Sequence, residues 1–167
     1  KVIREKKALA AAETDDERLG NYLAFSLRRA AEIRRMFDFA SQDKYWISNL
    51  KAINENLDLV HSLLVKNSEN KGDFFKAKQI LDALSPIELN FRNFVSRRDE
   101  FGKRPNNIRE GILETLWRID QIKDFYQPFL SDLQKWHKNK IFRVNFDQVG
   151  EYESYINKVS LPSDEKG

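Results

Sequence analysis

Six apolar residues, Trp46, Leu50, Ile53, Leu57, Val60 and Leu64, follow one another at spacings of four, three, four, three and four. A strand would place its apolar residues at every second position. This spacing instead lays a single stripe along an α-helix, which must be buried against something else. Three further stretches carry the same signature. Leu19, Tyr22, Leu23, Ser26, Ala30, Ile33, Phe37 and Ala40 share one helical face, and Ile80, Leu84, Ile87, Phe91, Phe94 and Phe101 lie along a second. Ile108, Ile112, Leu116, Ile119, Tyr126, Phe129, Leu133 and Trp136 form a third. Four stripes that need cover predict an all-α fold, an up-down-up-down four-helix bundle with short loops between antiparallel neighbours.

The ends of the helices are marked by their own chemistry. Thr14-Asp15-Asp16-Glu17 reads as a capping box, the hydroxyl taking an amide that the first turn leaves unpaired. Ser41 or Asp43 caps the second helix, which ends near Lys66 before a polar loop containing Gly72. Ser85-Pro86-Ile87-Glu88 is another capping box, so the third element is kinked there or divides into two helices, and Gly102 ends it. Asn107 to Glu110 caps the fourth helix, which bends at Pro128.

The resulting division is a basic, alanine-rich helical leader over 1–13 and the bundle over 14–140. A short segment over 141–160, briefly strand-like at Ile141 to Val144 and then helical, packs on the bundle, and 161–167 is a flexible tail. A chain of 167 residues is long enough for one such core. Twelve Phe against a single Met point to a core of stiff aromatic side chains.

Several chemistries are excluded or poorly supported. With no cysteine, thiolate metal sites, disulfides and cysteine nucleophiles are absent. The di-iron pattern of helical bundles needs paired Glu-x-x-His motifs, whereas the two histidines, His61 and His137, provide one Asp58-x-x-His61 spacing and no counterpart. There is no Gly-x-Ser-x-Gly turn and no phosphate-cradling glycine loop. The carboxylates gather in first helical turns, where capping and the helix dipole account for them. No catalytic residue, no cofactor and no metal is expected. No apolar run is long enough to span a membrane.

Charge is more informative. Folding the helices antiparallel gathers Arg34, Arg35, Arg97, Arg98, Lys103 and Arg104 at one end, with Lys44 and Arg109. The basic and aromatic run Lys135, Trp136, Lys138, Lys140, Phe142 and Arg143 follows the fourth helix. Helix dipoles favour cations in last turns whatever the function. Beyond that role, these two clusters are the candidate partner-binding residues. Net charge is only +3, too small a bias for a dedicated nucleic-acid binder.

The expectation is therefore a non-catalytic interaction module, an adaptor or scaffold, with another protein as partner. An anionic membrane surface ranks second and nucleic acid third, since Arg97-Arg98 is followed at once by Asp99-Glu100. The alternative is a ligand-sensing bundle of a membrane receptor; against it, the fourth helix does not run to the C-terminus. The non-Met start and the basic leader fit a cytoplasmic piece of a larger protein anchored upstream of Lys1, and a periplasmic location is compatible with the same residues.

Overall fold

The computed structural model describes residues 2–12, 14–37, 43–70 and 74–127. Every regular element among them is helical: α1 (Val2–Ala11), α2 (Asp15–Arg35), α3 (Asp43–Lys66), α4 (Phe74–Ser96), α5 (Arg98–Gly102) and α6 (Asn106–Phe125), with a 3₁₀ turn at Ser68–Asn70. The apolar stripes meet in one core. All six residues of the Trp46 to Leu64 seam are buried, and they pack with Leu23, Ile33, Ile80, Phe91, Ile112 and Ile119.

The helices contact one another in a ring, α2 on α3, α3 on α6, α6 on α4 and α4 on α2. Specific pairs give the directions. Asp15 at the start of α2 meets Lys66 and Asn67 after the long run of α3, so these two helices are antiparallel. Glu88 meets Lys123 and Arg92 meets Asp120, so α4 and α6 are antiparallel as well. The other two contacts run parallel. Asp16 pairs with Lys76 and Phe37 stacks on Phe94, while Leu50 lies against Gly111 and Asp58 pairs with Arg118. Antiparallel neighbours are thus the rule for α2/α3 and α4/α6 but not around the whole ring.

The caps follow the sequence in part. Thr14 accepts the Glu17 amide at 3.1 Å, and its extended backbone begins α2 as a helix separate from α1. Pro86 lies inside α4, which continues as one helix from Phe74 to Ser96 rather than as two. It breaks instead at Arg97, whose ψ of 76° is not helical, so Phe101 belongs to the short α5. The fourth helix begins at Asn106 behind Pro105 without a side-chain cap, so Asn107 is not the capping residue. Proline has no side-chain acceptor to offer there, and its carbonyl takes the Ile108 and Arg109 amides at 3.1 Å each. The Pro128 bend, the strand-like stretch, the short C-terminal helix and the tail lie outside the described residues.

The leader is tied down by charge. Glu5 of α1 is buried and accepts from both Arg28 and Arg29 of α2, the latter at 2.7 Å. A buried carboxylate is tolerable only with partners of this kind, and two guanidinium groups satisfy both of its oxygens.

Candidate functional site

The cations expected at one end of the helices divide into two groups. The inner group is built on aromatic rings supplied by three helices. Phe37 follows α2, Trp46 opens α3 and Phe94 closes α4; their ring centroids lie 4.5–5.4 Å apart. Phe101 adds an edge-on contact to Phe94 at 6.0 Å. Arg34 lies 5.0 Å from the Phe37 ring, Arg97 is 5.5 Å from Phe94, and Arg104 is 4.6 Å from Trp46. Arg104 also donates to the Phe37 carbonyl and, at 3.3 Å, to Asp43. Arg34 and Arg104 are buried. Arg104 thus places its guanidinium over a ring while its nitrogens donate hydrogen bonds, a combination lysine cannot reproduce.

The outer group faces water. Arg35, Lys44, Arg98 and Lys103 are exposed around that aromatic base. Lys44 lies 5.2 Å from the Tyr45 ring. Arg109 donates to the Gly102 carbonyl at 2.8 Å and to Asn106, which fastens the α5–α6 corner. Asp99 and Glu100 are exposed on the same short helix and lower the local potential, as the sequence implies.

The opposite end is organised differently. Lys66 pairs with Asp15 at 3.3 Å, Lys76 with Asp16 at 2.6 Å, and Lys78 with Asp82. The Asn67 amide, donating to Asp15, and then Lys66 hold the Asp15 carboxyl below the usual carboxylate range. Lysines there join the end of α3 and the start of α4 to the start of α2. Lys135, Lys138, Lys140 and Arg143 lie outside the described residues.

Other features singled out in the sequence find ordinary places. His61 is half-buried on α3, and among the described residues no three His, Asp or Glu side chains are grouped to hold a metal. Among them, too, no helix is long and apolar enough to cross a membrane. Phe75, in the first turn of α4, is exposed. Of the helical asparagines, Asn93 is exposed while Asn54 and Asn90 are buried. The Asn54 amide donates to the Gly111 carbonyl at 3.2 Å, and its oxygen lies 2.7 Å from the Thr115 hydroxyl. Asn54 is a bond between α3 and α6, which sequence spacing alone could not reveal because its partners are about sixty residues away.

Comparisons with family models, with curated proteins and with solved structures find no match to this chain.

Proposed function

We propose that the chain is a non-catalytic interaction module, an adaptor or scaffold, which engages an acidic protein partner through the end formed by α2, α3, α5 and α6. The observation that carries this reading is the two-tier basic end. Arg34, Arg97 and Arg104 brace an aromatic platform, and Arg98, Lys103 and Lys44 stand outside it with their charge toward solvent. Cations on a rigid base lose less freedom on binding than cations on a mobile loop, so more of their attraction to a partner survives as affinity. Their contribution is chiefly to association rate and selectivity.

The scaffold under this reading is an up-down-up-down four-helix bundle whose members are α2, α3, α4 and α6, with Pro86 as the site of a kink in the third. The pairwise helix directions support it. Parallel α2/α4 and α3/α6 contacts are compatible with that alternation along the chain if the helices follow the order first, second, fourth, third around the ring.

The test is a titration of the full chain with a synthetic glutamate-rich peptide at low and high salt. It is repeated with anionic vesicles and with a single-stranded oligonucleotide. Binding to the peptide should weaken with salt and fall about tenfold in the R98E/K103E variant. Equal binding by that variant would remove the basic end from the account. Stronger binding to vesicles or to the oligonucleotide than to the peptide would replace the protein partner with lipid or nucleic acid.

A further inference from the structure

A second surface, on the flank of the molecule, has the opposite charge. Between the parallel helices α3 and α6 runs an open groove of about 340 Å³. Its floor is set by Gly111, where a Cβ atom would stand 3.1 Å from Leu50 Cδ1, closer than an ordinary contact. The missing side chain lets the two backbones approach, and Asn54 locks them there through Gly111 and Thr115. The floor is therefore low and fixed, while longer side chains on either side form walls.

Those walls are acidic. Glu55 and Asp58 stand on α3, Glu110 and Glu114 on α6, against Lys51 and Arg118. Arg118 is already committed, bridging the groove to Asp58 and Glu114 at 2.9 Å each. Glu55 and Glu110 are exposed and make no ion pair among the described residues. A net negative groove in a chain of net charge +3 runs against the overall bias.

Apolar side chains are exposed in the groove and beside it. Ile47 is 40% exposed within the groove on α3, and on the outer face of α6 Leu113 and Trp117, one turn apart, are 49% and 56% exposed. The Trp117 ring lies 5.8 Å from the guanidinium of Arg118, which lines the groove, and so stands beside it on the outer face of α6. Exposed tryptophan beside aliphatic residues is the composition of an interface centre rather than of a solvated helix face.

We propose that the groove between α3 and α6 is a docking site for a lysine- and arginine-rich amphipathic helix of another protein. Apolar residues one turn apart on such a helix would cover Ile47 in the groove and reach Trp117 beside it, and its flanking cations would reach Glu55 and Glu110. Charge complementarity selects this occupant. An acidic helix would meet four carboxylates, and a purely apolar one would leave Glu55 and Glu110 partly desolvated without a counter-charge. The surface is independent of the basic end, and its failure would leave that reading untouched.

The experiment titrates the full chain with a labelled synthetic amphipathic helix of leucine and lysine, followed by anisotropy. Two control peptides accompany it, a scrambled sequence without an apolar face and a leucine–glutamate analogue. The leucine–lysine helix should bind, and both controls should bind at least about tenfold more weakly. The E55Q/E110Q variant and the W117A variant should each lose about tenfold, while R98E/K103E retains binding. All these positions are exposed, and unchanged helical circular dichroism would verify the fold. Absence of binding, equal binding of either control peptide, or full affinity in both E55Q/E110Q and W117A would overturn the proposal. Concentration-dependent self-association abolished by W117A would overturn it too, by making a second copy the occupant.

Discussion

Arg104 offers the sharpest separation between cations that hold the fold and cations that face a partner. Replacing it with alanine removes several interactions at once, three of which carry most of the effect. The charged donor to the Phe37 carbonyl contributes about 2 kcal/mol, and its loss leaves that oxygen without this donor. Stacking on Trp46 in a site only 7% exposed contributes about 2 kcal/mol. The pair with Asp43, partly open to water, adds less than about 1 kcal/mol. Against these stands the cost of keeping a guanidinium out of water, so Arg104→Ala should destabilise by about 3 kcal/mol net. Arg104→Lys keeps the charge but loses the planar fork, and should lie about halfway between. Arg98→Ala and Lys103→Ala should fall within about 0.5 kcal/mol of the parent, because both are exposed. Urea denaturation followed by circular dichroism measures all four, the midpoint moving while the slope stays fixed. A loss below about 0.5 kcal/mol in Arg104→Ala would refute the aromatic platform as a structural unit.

Three further outcomes are expected. Leu57→Ala, at a fully buried position in the α3 seam, should cost about 2–5 kcal/mol by denaturant unfolding, and a negligible change would contradict the seam. Thr115→Val keeps the shape but strips Asn54 of its donor in a buried site, which should cost about 2 kcal/mol and appear as a lowered midpoint. Asp15 is ionised more readily in the folded chain than in the unfolded one, so its contribution is present above the ordinary carboxylate pKa and disappears as pH falls toward the depressed value. Asp15→Asn should therefore be less stable than the parent at neutral pH and equal to it in strong acid; a gap that persists in acid would refute the assignment.

Helix identity was legible in the sequence because burial of an amphipathic stripe is a local demand. Trp46 to Leu64 and Ile108 to Ile119 declare their inward faces by spacing alone, and Thr14 declares its cap by hydroxyl chemistry. The continuity of α4 through Pro86 was not legible, because a proline is tolerable inside a helix whose neighbours hold it, and nor was the break at Arg97, which looks unremarkable in sequence yet takes a non-helical ψ. The cations gathered at one end could be expected from helix directions, but their two-tier arrangement could not. Whether Arg104 points to solvent or onto Trp46 depends on rings from α2, α3 and α4 that meet only in the folded chain. The acidic groove was hidden for the same reason: Gly111 reads as a weak helix residue until Leu50 is placed against it.

The most direct measurement of the central claim is a map of backbone amide shifts on the full chain as the glutamate-rich peptide is added. The account predicts that shifts gather at Lys44, Arg98, Lys103 and the α5 turn, fade with added salt, and spare Ile47, Glu110 and Trp117. Shifts spread evenly over both ends, or centred on the α3/α6 groove, would contradict it.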